Sequence, residues 1–305
     1  MARETGPDFI EALARGLDVL RCFRPGEPVM TLSEVAAATG LARPTARRIL
    51  LTLDELGYVR AADRGFALTP RVLDLGMAYV NSLGMWDIAR PHMRRLVEQT
   101  DESTSVAQLD GSDIVYVARV AVPKIVTLAV TIGTRFPAPA TSMGKVLLAA
   151  LQPAELTDVL ANPSRSGIAA RWQPERDELD RTLREVRARG WALADQDLAA
   201  GIRSVATGVR DGDGRVVAAI NVTVHAAETS MEKLTGEHLP RLLSTAADIS
   251  RDWALRDTVP IIVQESATRH AANRRNTGGA TVAGGADPEA PGGTPVRDAV
   301  FDPAR

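Results

Sequence analysis

Residues 31–56, TLSEVAAATGLARPTARRILLTLDEL, leave the chain few options. Thr31 can cap a helix beginning at Leu32, because its hydroxyl can accept an orphan backbone N–H. That helix is short and ends at Gly40, a residue able to take the left-handed conformation of a tight turn. In the helix that follows, Ala46, Ile49, Leu50, Leu53 and Leu56 recur every three or four residues. Arg43, Thr45, Arg47 and Arg48 fall on its other face. Two short helices, a glycine turn, small Ala36 at the crossing and a basic outer face make a helix-turn-helix. Its second helix is the one that enters a DNA major groove. An ordinary helical hairpin would not account for three arginines on one exposed face. The residues expected at DNA are Thr31 and Ser33 from the first helix, with Arg43, Pro44, Thr45, Arg47 and Arg48 from the second.

Charge supports a local contact rather than a general one. The whole chain of 305 residues carries a net charge of -2, so it cannot coat nucleic acid along its length. Between Leu41 and Leu73, however, six arginines (43, 47, 48, 60, 64, 71) face three acids (Asp54, Glu55, Asp63), a net of +3. Such clustering is the footprint of phosphate contact. No lysine precedes Lys124, and arginine is the better bidentate reader of phosphate and guanine. The single Cys22 excludes an internal disulfide and suggests a reducing compartment. No stretch has the form of a signal peptide or a membrane span, so a cytoplasmic protein is expected.

Around this element the chain divides by texture. Ile10, Leu13, Leu17 and Leu20 predict a helix from Phe9 to Phe23, packed behind the helix-turn-helix and stopped by Pro25-Gly26. After Leu56, Tyr58–Arg60 and Phe66–Leu68 read as two strands around Ala62-Asp63-Arg64-Gly65, a wing. Arg64 at its tip either reaches a phosphate or the minor groove, or is a solvated turn residue. Helical runs follow from Pro70 and from Trp86 to Gln99, with Pro91 as a kink or boundary. Their apolar stripe exceeds what a small winged domain can bury and reads as linker and dimer contact. Residues 101–257 carry hairpin signals at Asp110-Gly111 and at 211–214, a further strand at Ile125–Ile132, and helices at Thr141–Leu151, Pro153–Leu160, Glu175–Arg189 and His238–Trp253. Antiparallel hairpins with interspersed helices make an α+β fold. The expected organisation is a winged helix-turn-helix over 1–70, a linker helix over 71–84, an effector domain over 85–257 and a disordered tail over 258–305, where GG occurs three times and apolar content falls.

A sensing domain needs a concave pocket with a few polar groups. Ala140-Thr141-Ser142-Met143-Gly144 stands at a helix start, where free backbone N–H groups and the helix dipole favour an anion and Gly144 would let a ligand approach. A simple Thr or Ser cap is the competing reading. On the strand Arg215–Val224, Ile220, Val222 and Val224 share one face, and Ala219, Asn221 and Thr223 the other. Two polar groups on a buried face need partners, which a ligand, ordered water or a neighbouring strand could supply.

With ARGLDVLRCF, LSEVAAATGLARPTARRILLTLDELGYV, FALTPRVLDLG, ESTSVAQLDGSDIVYVARV, GTRFPAPATSMGKVLLA and DLAAGIRSVATGV on the page, the chain resembles the IclR family of regulators over roughly residues 9–255. The tract SLGMWDIARPHMRRLVEQTDESTSVA is similar to the subgroup controlling protocatechuate and p-hydroxybenzoate catabolism, the β-ketoadipate pathway. The resemblance implies an N-terminal winged helix-turn-helix, a C-terminal GAF-like effector-binding domain, and homodimers or tetramers on operator DNA. It also implies an effector pocket: Ile125 and Leu128 as walls, Ser142 and Met143 at the helix start, Ser204 after the GIR turn, and Asn221 with Thr223 on the strand. An acid that the family often carries before that turn is replaced by Ala194, with Asp195 beside it. The expected effector is a small carboxylate, a hydroxylated aromatic acid or its ring-cleavage product, with its anion at the Ser142 end. No cofactor is expected. The rival is an enzyme, but Ser142 has no neighbouring base in sequence, no phosphate loop follows a strand, and His92, His225, His238 and His270 have no metal-ligand spacing.

Overall fold

In the computed structural model, which describes residues 6–24, 26–124 and 130–258, three helices and a hairpin form the N-terminal part. These are α1 (Glu11–Arg21), α2 (Leu32–Thr39), α3 (Arg43–Glu55), β1 (Val59–Ala62) and β2 (Gly65–Leu68). Thr31 caps α2 through a capping box. Its hydroxyl accepts from the Glu34 N–H at 3.3 Å, and its own N–H donates to the Glu34 carboxylate at 2.7 Å. Gly40 ends the helix at φ 67°. Val35, Ala36, Ala46, Leu50, Leu53 and Val59 then bury a small core with Val19 and Met30.

The strands β1 and β2 pair antiparallel from Val59↔Leu68 to Ala62↔Gly65, which leaves Asp63 and Arg64 as the turn. Met30 adds an isolated bridge to Phe66. A Cβ on Gly65 would lie 2.2 Å from the Met30 carbonyl oxygen, so only glycine permits this approach.

One expectation fails here. Ile10, Leu13 and Leu17 do not pack behind the helix-turn-helix; they are 65%, 61% and 41% exposed. Of the predicted stripe only Leu20 packs there, together with Val19, Cys22 and Phe23.

Helix α4 (Val72–Leu83) follows, then α5 (Met85–Thr100), which runs unbroken through Pro91. The apolar stripe of α5, read as linker and dimer contact, is instead internal. Met85, Trp86, Ala89, Met93 and Leu96 are buried against the large sheet.

That sheet has six antiparallel strands in the order β5-β4-β3-β8-β7-β6. They are β3 (Ser103–Asp110), β4 (Asp113–Val120), β5 (Arg135–Pro137), β6 (Trp191–Asp195), β7 (Ile202–Arg210) and β8 (Val216–His225). Of the predicted strand Ile125–Ile132, residues 125–129 lie outside the described residues, and 130–132 are not strand. The edge strand is β5 instead.

Each face of the sheet has its own core. Val106, Val205, Ile220 and Val222 meet α5 and α10 (Leu239–Thr258) on one side. Ala107, Tyr116, Ala206 and Ala219 meet α6 (Ser142–Ala150), α7 (Pro153–Ala161) and α8 (Arg176–Arg189) on the other. The closing helix begins earlier than expected, with α9 (Met231–Lys233) and a π-helical turn, Leu234–His238, ahead of α10. Of the tail expected over 258–305, residues 259–305 lie outside the described residues. Among the described residues no helix is long and apolar enough to cross a membrane.

Candidate functional site

Two sites come from this architecture. The first is the outer surface of the helix-turn-helix. Ser33, Arg43, Pro44, Arg47 and Arg48 are exposed, Thr45 is half-buried, and Arg64 is exposed on the hairpin turn. Ala46 and Leu50 are fully buried on the opposite side of α3, so core packing orients the arginines outward. Among the described residues none of Arg43, Arg47, Arg48 and Arg64 makes an ion pair. Four unneutralised guanidinium groups on one small unit suit phosphate and guanine edges. Thr31 is exposed too, but its hydroxyl is engaged in the cap, donating to Glu34 at 2.9 Å.

The second site is a cavity on the α6 side of the sheet. Its floor crosses four strands: Ser204 on β7, Asn221 and Thr223 on β8, Ser103 on β3, and Tyr116 with Arg119 on β4. Ala140, Thr141 and Ser142 close one end, Leu198 and Lys124 others. It encloses about 60 Å³, so only a compact ligand enters without movement of the walls.

Three arrangements hold it. The N-terminus of α6 is capped by Thr141, whose hydroxyl accepts from the Gly144 N–H at 3.0 Å. The Ser142 and Ser204 hydroxyls lie 2.7 Å apart, so one proton joins them and the other remains for a ligand. The Lys145 ammonium, buried beneath, donates to the Leu193 carbonyl at 3.0 Å and the Asp197 carboxylate at 2.5 Å. It thereby ties α6 to the loop that carries Leu198.

The partners left open for Asn221 lie within the sheet. Its side-chain oxygen accepts from the Ser105 N–H at 3.0 Å, and its NH2 donates to the Thr223 hydroxyl at 2.9 Å. The neighbouring strand β3 satisfies the amide oxygen; the second bond joins the pair itself and leaves one amide N–H and the Thr223 hydroxyl proton facing the cavity.

Met143 and Gly144 do not line the cavity. Met143 is buried in the core beneath the sheet. Gly144 answers a packing need, since a Cβ there would stand 2.0 Å from the Ala138 carbonyl oxygen. Its missing side chain admits the 3₁₀ turn Ala138–Ala140 rather than a ligand. Ala194 does line the cavity, while the Asp195 carboxylate accepts from Arg203 at 2.7 Å and is held below the usual carboxylate range by that bond. Ile125 and Leu128 lie outside the described residues.

Sequence reasoning missed Arg119 and Tyr116. Residues three apart on a regular strand face opposite sides. Here β4 has an extra residue: Val106 pairs Ala118 while Ala107 pairs Tyr116, a bulge at Val117. The bulge turns Val117 and Ala118 toward one core and brings Tyr116 and Arg119 to the other face together. Alternation alone carried no signal of it.

Comparisons with known proteins agree with the fold. The family description "IclR helix-turn-helix domain" matches residues 12–63, and "Bacterial transcriptional regulator IclR C-terminal" matches residues 77–251. The Pca regulon regulatory protein of Pseudomonas putida is 36% identical over 80% of this chain and 84% of that protein. The p-hydroxybenzoate hydroxylase transcriptional activator of Acinetobacter baylyi is 30% identical over 79% and 91%. Among solved structures, a candidate transcriptional regulator from Rhodococcus sp. RHA1 is 49% identical, with a TM-score of 0.71 over 81% of this chain and all of that one.

Proposed function

The chain belongs to the IclR family of bacterial transcriptional regulators, and from that premise we propose that it governs a catabolic operon by sensing a small aromatic carboxylate. The observation that carries the reading is the cavity. It is compact, floored by hydroxyl and amide groups, and contains a guanidinium that no carboxylate among the described residues pairs with. Relatives whose names refer to the Pca regulon and to p-hydroxybenzoate hydroxylase support an aromatic acid as the effector.

DNA is bound through α3, with Arg43, Arg47 and Arg48 toward the groove and Arg64 on the wing toward the backbone. A homodimer places two such helices on half-sites ~34 Å apart. An exposed apolar stripe on α1 (Ile10, Leu13, Leu17) and exposed apolar side chains on both sides of α4 (Leu73 and Met77, Leu75 and Tyr79) support that assembly, because isolated monomers rarely leave such patches open. The effector shifts the dimer between arrangements by a differential binding energy, typically ~1–3 kcal/mol. The organisation is a winged domain over 1–70, a linker over 71–84 and an effector domain over 85–257.

A thermal-shift screen of hydroxylated aromatic acids tests the effector reading, followed by gel shifts on the intergenic DNA beside the protein's own gene. At least one acid should raise the melting temperature and change operator affinity. A protein that binds that DNA yet responds to no acid would speak instead for control by a protein partner.

A further inference from the structure

The charges around the cavity leave a remainder. Glu102 and Lys124 close on each other: the ammonium donates to the carboxylate at 2.6 Å, and the Glu102 carboxylate also accepts from the Thr229 hydroxyl at 3.2 Å. Glu228 stands 3.4 Å from the same ammonium. Arg119 has no such counterpart. Its guanidinium is half-buried and donates to the Ser105 hydroxyl at 3.0 Å, and among the described residues no carboxylate pairs with it. Elsewhere in the same domain the partly buried cations are neutralised, Lys145 by Asp197 and Arg203 by Asp195. A guanidinium does not shed its proton, and withdrawing an unpaired charge from water is costly. Tyr116 shares its face and is itself nearly buried; its hydroxyl makes no hydrogen bond among the described residues.

We infer that Arg119, with the Tyr116 hydroxyl beside it on the bulged strand, receives exactly one carboxylate, and that the cavity therefore selects monoanions over dianions. The inference rests on the reading that this cavity holds the effector. A guanidinium fork matches one carboxylate bidentately. A second carboxylate would meet the Ser142 and Ser204 hydroxyls, the Asn221 amide, the His225 imidazole and the Glu102 carboxylate, while the one other permanent cation among the described lining residues, Lys124, is already held by Glu102 and Glu228. A hydroxylated aromatic acid satisfies this count; a ring-cleavage diacid does not. The anion thus sits at Arg119 on β4, and the Ser142–Ser204 pair is left to read a ligand hydroxyl.

Calorimetry on the full chain separates the possibilities, using 4-hydroxybenzoate, its uncharged analogue 4-hydroxybenzamide, and the dianion terephthalate. The wild type should bind the acid at least tenfold tighter than the amide or the dianion. In Arg119→Gln the acid should lose at least tenfold while the amide holds, which erases the acid preference. A merely structural role would weaken acid and amide alike and leave their ratio in place. If Arg119→Gln fails to melt cooperatively, Arg119→Lys decides: the acid should lose threefold or more with the amide unchanged. An acid preference that survives in Arg119→Gln, undiminished acid affinity in Arg119→Lys, or a wild type that takes terephthalate as well as the monoacid overturns the inference alone. A wild type that binds none of the probes removes the effector reading and this inference with it.

Discussion

At Tyr116 the phenol lies against Phe136, ring centroids 5.6 Å apart and planes at 85°. Burial pushes its pKa from 10.0 up to about 12, with Arg119 opposing weakly. The folded state therefore holds the proton more tightly than the unfolded chain. Stability from this group is complete below pH 10 and is lost as pH rises toward 12, on the order of 2–3 kcal/mol for two units. Denaturation curves of the wild type should fall faster than those of Tyr116→Phe across that window; parallel curves would contradict the assignment. Arg48 poses the opposite case, exposed and, among the described residues, without an ion-pair partner. Arg48→Ala should leave folding stability within ~0.5 kcal/mol yet weaken operator binding. If it reads a guanine, the loss is ~1–3 kcal/mol at one base position; if it meets phosphate, all sequences weaken alike and the salt slope falls by about 1.

The elements differ in how openly the chain declares them. Helices α2 and α3 were readable because cap, turn and stripe agree: Thr31 with Glu34, Gly40 in the left-handed region, and Ala46, Leu50 and Leu53 buried in step. Strand β8 was readable in the same way, its Ile220 and Val222 in one core and Ala219 in the other. The bulge in β4 was not, since nothing in DIVYVARV distinguishes a residue that is skipped from one that is paired. Nor was the purpose of Gly144. The Cβ of Gly144→Ala would meet the carbonyl oxygen, carbon and Cα of Ala138 at 2.0, 2.5 and 2.5 Å, all main chain. Overpacking of a side chain costs ~1–3 kcal/mol, and backbone yields less readily. A clear drop in melting temperature is expected, together with weaker effector binding, because the same 3₁₀ turn supplies Ala140 to the cavity. Unchanged stability would mean that the turn gives way freely.

For the whole molecule, the exposed apolar side chains of α1 and α4 make the assembly the open quantity. Leu13 and Leu73 are 61% and 69% exposed. Replacing both with glutamate should shift sedimentation toward the monomer and steepen the protein-concentration dependence of operator binding. Effector affinity should be preserved, because neither residue lines the cavity. An unchanged molecular mass would place the dimer contact elsewhere. Reading α5 as an assembly surface was an error of the same origin. Periodicity identifies an apolar face but not what covers it: α5 found the sheet, while on α1 only Leu20 of the predicted stripe met its core.

What the residues alone determined was local and periodic: the helix-turn-helix with its outward arginines, the hairpins, and the hydroxyl and amide positions at 142, 221 and 223, whereas Ser204 came only from the family resemblance. These follow from hydrogen-bond caps, turn chemistry and spacing, all of which act within a few neighbours along the chain. Only the folded arrangement decided that Asn221 is answered by β3, that Gly144 makes way for main chain, and that Arg119 stands in the cavity with no carboxylate paired to it among the described residues. Each of these depends on which strand lies beside which and in what register. Register is set by packing across the whole sheet, so the balance of charge in the cavity appears only once distant segments have met.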